Sequence, residues 1–322
     1  VAQHPTLRDV FAARKRISDG ILKTPLVRSK RLSGVAGADV YLKLENRQET
    51  GSFKLRGATN ILRSLTAVER ETGVVAVSSG NHGRAVAHVG AAEGIEATVC
   101  ISTRVPQVKV AAMQALGATV VVAGPTQDDA DAAARQLVDD GLVFVHPFDD
   151  SRVIAGQGTI GLELLDDLPE VGTVVVPLSG GGLMAGIAVA IKSADRDIRI
   201  IGVSQDRGPA MYDSIRAGRL TDVIEEDTLA DALAGGLGPE NHHSFAMCSE
   251  LIDEILLVSE NEIAAAMAHL HSNEGETVEG GGAVGVAAVL AGKVAAPGPI
   301  AVVVSGGNVD PAVLAGAVEE QR

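Results

Sequence analysis

The sequence predicts an α/β fold of two domains, each an open, mostly parallel twisted sheet with helices on both faces. Three observations carry that prediction. Short apolar runs alternate with helical stretches along most of the chain, which is the pattern of βαβ units and a parallel sheet. Hydrophobic residues make up 46% of the 322 positions, only 2% are aromatic and there is no Trp. Such small, branched side chains suit a sheet buried on both faces. Finally, several strands run straight into glycine-rich turns that open helices, at the edge where α/β folds bind ligands. With 21% charged residues and a mean hydropathy of +0.22, the chain is globular and not disordered.

Taken in order, residues 7–18 pattern as a helix, and Thr24-Pro25-Leu26-Val27 turns into an extended piece. Val40–Leu44 alternates as a strand and leads into Glu49-Thr50-Gly51-Ser52-Phe53-Lys54-Leu55-Arg56-Gly57, after which Ala58–Leu65 is helical. Strands Val74–Val77, Ala97–Ile101, Thr119–Val122 and Leu142–Val145 then alternate with helices Asn81–Ala92, Pro106–Leu116 and Gln127–Val138. This makes residues 47–146 one compact α/β domain. A second series follows His146-Pro147-Phe148-Asp149-Asp150: helix Val153–Leu165, strand Thr173–Val176, helix Gly182–Lys192 and strand Ile198–Val203. Residues 208–241 are rich in turns and acids and give no clear element. Strand Ile255–Val258, helices Glu260–His271 and Gly282–Gly292, and strand Ile300–Val304 complete the series. The N-terminal segment is expected to pack on it, so that residues 1–46 and 147–322 form the larger domain.

A net charge of -14 argues against nucleic acid or an anionic membrane surface as partner. Cys100 and Cys248 lie far apart in apolar contexts, which suits buried, inert thiols and no disulfide framework. The first residues lack a basic region followed by an apolar run. The longest apolar stretch, Ala283–Val304, is broken by Lys293, Pro297 and Pro299. The expectation is a soluble, cytoplasmic protein.

Four segments carry chemistry. Lys54 stands between two glycines at the mouth of a helix, where its charge opposes the positive end of the helix dipole. A lysine that is desolvated or close to positive charge loses its proton and becomes a nucleophile; the bland alternative is a surface lysine. Ser78-Ser79-Gly80-Asn81-His82-Gly83 follows a strand and opens a helix whose free N–H groups suit a carboxylate or phosphate. N-capping alone explains one of these residues, not all of them. In Pro177-Leu178-Ser179-Gly180-Gly181-Gly182-Leu183 three glycines let successive N–H groups converge on one anion, with Ser179 as a further donor. A dinucleotide site is the competing reading, with Asp206 at a suitable distance, but Gly180, Gly182 and Gly186 miss the fingerprint spacing by one residue. Ser305, in Val304-Ser305-Gly306-Gly307-Asn308, ends a buried strand at the same edge. Glu279 precedes Gly280-Gly281-Gly282 and reads as a helix cap in place of a ligand contact. His146 and His271 have no companions at metal-ligand spacing.

In this order, the segments resemble the fold type II pyridoxal-phosphate enzymes (tryptophan synthase β-like), in the branch of threonine and serine dehydratases and serine racemase. The match runs from Thr24-Pro25-Leu26 to Ser305-Gly306-Gly307-Asn308. More narrowly, Ile154-Ala155-Gly156-Gln157-Gly158-Thr159 and the character of residues 173–240 look like the dehydratase-like enzyme of hydroxyectoine breakdown.

The resemblance implies that Lys54 holds pyridoxal 5'-phosphate as a Schiff base, with Phe53 packed beside it. It assigns the ring oxygen to Asn81, the phosphate to Ser179, Gly180, Gly181, Gly182 and Leu183, and the pyridine nitrogen to Ser305. The loop Ser78, Ser79, Gly80, Asn81 and His82 would grip the substrate carboxylate. The larger domain is then the cofactor-binding one. A neutral hydroxyl opposite the pyridine nitrogen makes the ring a weaker electron sink, which favours expulsion of a β-leaving group over transamination. The implied reaction is β-elimination from a β-hydroxy amino acid to a 2-oxo acid and ammonia, with Lys54 taking the α-proton. Threonine, serine, 3-hydroxyaspartate and the hydroxylated diamino acid of hydroxyectoine breakdown are the candidates. Ser79 matches the residue that serves the opposite face of the α-carbon in the racemases, so serine or 3-hydroxyaspartate racemisation is the second reading. A non-catalytic binder of amino acid or cofactor is a third, against which the intact Lys54 and Ser305 speak. The resemblance further implies a homodimer. Several members of this branch hold a divalent cation with acidic residues just after the strand that matches Ile198–Val203. Here Gln205 and Met211 stand where carboxylates are expected, so no metal is expected.

Overall fold

The computed structural model describes residues 3–295 and 298–321, so Val1, Ala2, Ala296, Arg322 and the Pro297 invoked above lie outside the described residues. The strands are β1 (Leu26–Ser29), β2 (Val40–Leu44), β3 (Val74–Val77), β4 (Ala97–Ile101), β5 (Thr119–Val122), β6 (Val143–Phe144), β7 (Thr173–Pro177), β8 (Arg199–Gln205), β9 (Glu254–Val258) and β10 (Ile300–Val304). A six-stranded sheet has the order β1-β2-β10-β7-β8-β9, and a four-stranded sheet the order β5-β4-β3-β6. Pairing is parallel throughout except at the β1–β2 edge.

The apolar runs β3, β4, β7 and β10 are buried along their whole length. Successive strand side chains point to opposite faces, and each face has its own helices to bury against. In the larger sheet Val175, Ile300, Val302 and Val304 pack with Met267, Val284 and Ala287. Their neighbours Val174, Val176, Ala301 and Val303 face the other way, onto Ile154, Met184 and Ile187. The smaller sheet divides likewise, Val74 and Ala76 going with Ile61 and Val86, and Val75 and Val77 with Ala130 and Ala134. The N-terminal helix Leu7–Ile17 packs on the second series, Val10 meeting Leu162 and Ala190. Both cysteines are buried, and burial pushes the Cys248 thiol up.

A charged cluster lies under the helix that begins at Lys54 (Lys54–Arg63). Arg56 is completely buried and donates to both oxygens of Glu45, each at 2.8 Å, and to Glu163 at 2.6 and 2.9 Å. Lys43 of β2 donates to Glu163 at 2.5 Å and to Thr24 O at 2.7 Å. Burial alone would raise the Glu45 carboxyl, but Arg56, Thr24 and Lys43 bring it below its ordinary value. The cluster fastens the lysine helix to β2 and to the helix Ser151–Asp167.

That second helix carries the Ile154–Thr159 run. Gln157 Oε1 accepts the Gly57 N–H at 3.2 Å, and a Cβ on Gly158 would stand 2.7 Å from Gly186 O in the helix Gly182–Ala194. Gly186 therefore serves a close helix crossing and not a dinucleotide turn. Short helices at Lys30–Ala36, Ala67–Thr72, Ala210–Ala217, Ser244–Leu251 and Pro311–Glu319 were not expected. Ala67–Thr72 has no buried residue and hence no apolar period to read; its Thr66–Glu69 capping box defines it instead.

Candidate active site

The lysine segment and the end of β10 are hydrogen-bonded to each other, which brings together residues some 250 positions apart in sequence. Phe53 N–H donates to Ser305 O at 3.0 Å, Gly307 N–H donates to Gly51 O at 2.9 Å, and Ser52 forms a bridge with Gly306. Lys54 is the first residue of its helix, which begins four residues before the expected start at Ala58. Its Nζ lies 5.2 Å from the centre of the Phe53 ring and donates to Pro147 O at 2.7 Å. Burial drives the amine down to about 8, against the pull of Glu279. A lysine so placed is a usable nucleophile and base near neutral pH. Ser305 is 4% exposed and close-packed behind the same segment.

Asn81 opens the helix Asn81–Glu93, whose N-cap Gly80 brings no side-chain cap. Asn81 Nδ2 donates to Glu279 Oε1 at 2.6 Å. Glu279 is the N-cap residue of the helix Gly280–Leu290, yet its carboxyl makes no cap bond. It reaches into the site instead, and burial pushes it up to about 7 although the Asn81 bond pulls the other way. Ser78 Oγ accepts the Gly80 N–H at 3.2 Å, and Ser79 is half-buried beside it. His82 was expected among the substrate contacts, and its ring is held by the backbone. Its Nε2 donates to Val145 O at 2.8 Å, and burial together with the charge of Lys54 lowers it to about 3. The neutral, 3% exposed ring anchors the loop from behind.

The glycine run forms the turn between β7 and the helix Gly182–Ala194. Gly181 has φ +87, a conformation that glycine adopts without strain, and it gives the helix no side-chain cap. The first-turn N–H groups thus remain free of a cap and point outward at the carboxyl edge of the sheet. Leu183 has only its backbone to offer there, since its side chain is 6% exposed and belongs to the core. Ser179, expected to donate to the phosphate, directs its hydroxyl hydrogen to Leu233 O at 2.9 Å. Gln205 donates to the same carbonyl at 3.3 Å, and Met211 is 1% exposed.

The run His146–Asp150, which the sequence offered only as a boundary, proves to be the hub of the site. Pro147 O takes the lysine amine. The Phe148 ring occupies the space that a Cβ on Gly180 would fill, and Gly182 lies 2.8 Å, at its own would-be Cβ, from Phe148 Cα. His146 Nδ1 accepts the N–H groups of Phe148 and Asp149 at 3.2 and 2.7 Å. Asp149 accepts those of His242, His243 and Ser244 at 2.6, 2.9 and 2.8 Å. No sequence pattern flags a carbonyl acceptor; the Phe148 contact could have been suspected from the need for so many glycines at 180–182.

These residues fit pyridoxal phosphate. The desolvated Lys54 amine suits an aldehyde, the uncapped glycine turn suits a phosphate, and the bonded Asn81 amide suits a ring oxygen. A family model described as pyridoxal-phosphate dependent enzyme matches residues 17–306. The chain is 48% identical over 307 residues to a provisionally named threonine dehydratase of Sinorhizobium fredii, covering 95% of this chain and 92% of that one. It is 45% identical over 307 residues to an L-threonine ammonia-lyase of Thermotoga maritima, covering 95% of this chain and 76% of that one. Among solved structures, maize serine racemase superposes with a TM-score of 0.92 at 30% identity, covering 99% of this chain and 98% of the other.

Proposed function

The chain belongs to the pyridoxal-phosphate-dependent enzyme family, and from that premise we propose that it is an ammonia-lyase that dehydrates L-threonine to a 2-oxo acid and ammonia. The observation that carries this reading is the pairing of Lys54, whose amine ionises near 8, with the neutral Ser305 hydroxyl at the end of β10. When bound, pyridoxal phosphate supplies the conjugated ring that accepts the electron pair left behind by the α-proton. Lys54 would hold it, the glycine turn its phosphate, Asn81 its ring oxygen and Ser305 its ring nitrogen. Lys54 Nζ takes the α-proton, which its lowered basicity permits near pH 8. Ser78, Ser79, Gly80 and Asn81 orient the substrate carboxylate at the uncapped start of their helix. The α C–H and β C–O bonds break, water leaves, and hydrolysis of the released product gives the 2-oxo acid and ammonia.

In this reading residues 47–146 are the smaller domain, supported by the separate β5-β4-β3-β6 sheet, and residues 1–46 with 147–322 bind the cofactor. The enzyme works in the cytoplasm as a homodimer. A charge of -14 supports a small-molecule partner over nucleic acid or a membrane surface. Racemisation is the second reading, favoured by Ser79, for whose hydroxyl no hydrogen bond occurs among the described residues and which is thus available as a proton donor.

The test is a panel of threonine, serine, 3-hydroxyaspartate and the hydroxylated diamino acid of hydroxyectoine breakdown, followed by 2-oxo acid and ammonia in equal amounts. The highest kcat/KM is expected with threonine. A preference for the diamino acid would move the enzyme to hydroxyectoine breakdown, inversion without ammonia would make it a racemase, and no turnover on any member would overturn the reading.

A further inference from the structure

Asn308 follows the serine of the last loop by three positions, and none of the roles above uses it. Its Nδ2 donates to two acceptors, Thr50 O at 2.8 Å and Asn81 Oδ1 at 2.6 Å. Asn81 passes the pattern on, its own Nδ2 donating to Glu279 Oε1 at 2.6 Å. A carboxamide has two ends of nearly equal size, so only its partners decide which way it points. This chain of amides has one end that cannot turn, because the Thr50 carbonyl is backbone and can only accept. It obliges Asn308 to present its NH2 group. The same group then obliges Asn81 to answer with oxygen, which turns the Asn81 NH2 group towards Glu279 and leaves its second hydrogen as a donor. Gly51 is an independent observation: at φ +79, a Cβ there would stand 2.6 Å from Asn308 Oδ1, so the lysine segment is shaped to admit this amide.

We propose that Asn308 is a positioning residue that fixes the Asn81 carboxamide with its NH2 end towards Glu279 and the cofactor's ring oxygen. This rests on the reading of Asn81 as the donor to that oxygen. Because the chain of bonds starts at Thr50, the direction of the Asn81 donor is set by the same strip of backbone that carries Lys54.

Holoenzyme variants Asn308→Asp, Asn308→Ala and Asn81→Ala test it, read by the absorption maximum of the bound cofactor and its dissociation constant at pH 8. Aspartate has the shape of asparagine but only accepts when ionised, so it confronts two acceptors and favours a reversed Asn81 amide. Alanine leaves Asn81 to Glu279 alone. A polarity role therefore makes Asp the worse substitution, whereas a packing role makes Ala the worse. The expected result is a spectral shift and about tenfold weaker cofactor binding for Asn81→Ala, the same for Asn308→Asp, and less for Asn308→Ala. The Asp deficit should shrink at lower pH, where a protonated carboxyl regains a donor. Wild-type absorption and affinity in Asn308→Asp, or a larger effect from Ala than from Asp, would overturn the proposal while Asn81→Ala still shifts both. If Asn81→Ala itself changes nothing, the reading of Asn81 falls and the proposal with it. Should the Asp variant not fold, the Ala variant decides: a shift in the direction of Asn81→Ala supports the proposal, and an unchanged spectrum overturns it.

Discussion

Replacing Arg56 by Met should destabilise the protein more than almost any other single change near the site. Arg56 holds Glu45 and Glu163 through four hydrogen bonds of 2.6–2.9 Å, and Arg56, Glu45 and Lys43 are completely buried. Met matches the volume of the stem but leaves two carboxylates against the single charge of Lys43. Stranding one buried charge costs about 3–5 kcal/mol, which in a chain of this size corresponds to a fall in Tm of about 5 °C. The sign of the pH dependence is the sharper part. In the wild type Glu45 is held below its ordinary value, so its contribution is present above the unfolded pKa and is lost as pH falls through the folded one. Without Arg56, burial dominates and the carboxyl titrates higher. The variant's deficit should then be greatest near neutrality and shrink as pH falls towards about 5. Thermal melts of both proteins across that range provide the assay, with Arg56→Lys expected to restore only part of the loss because it lacks the planar fork. A deficit under about 2 °C, or one indifferent to pH, would refute the reasoning.

Ser79→Ala should lower racemisation about a hundredfold or more while elimination falls less than about tenfold, measured on one enantiomer of serine by chiral analysis and ammonia release. Loading of cofactor-free protein should quicken roughly tenfold per pH unit up to about 8 and then level off, because only the neutral Lys54 amine attacks an aldehyde; stopped-flow absorbance across pH checks this. Chelation followed by Mg2+ should leave activity and Tm unchanged, since Gln205 is bonded to Leu233 O and Met211 is in the core; loss on chelation with recovery on Mg2+ would contradict it.

The strands were legible because both faces of each sheet are buried, so β3, β7 and β10 are largely apolar runs that lead into glycine-containing turns, and β4 is apolar apart from Thr98. Lys54 was legible because a lysine at a helix start is electrostatically misplaced, and the glycine turn at 180–182 because few other contexts need three glycines. What could not be read were partners. Glu279 looked like a cap since nothing local shows that its carboxyl meets Asn81, 198 positions away. The same holds for Ser179, whose hydrogen goes to Leu233, and for His82, whose ring goes to Val145. Arg56, Glu45 and Lys43 have surface chemistry by type, and only their mutual pairing across the fold allows them to be buried.

The central claim is that Lys54 carries the cofactor, and reduction of the holoenzyme with borohydride followed by peptide mapping tests it most directly. The yellow absorption should be lost, and one reduced pyridoxyl group should be found, on the peptide that contains Lys54. A colourless protein, or a pyridoxyl group on any other lysine such as Lys43 or Lys109, would contradict the account.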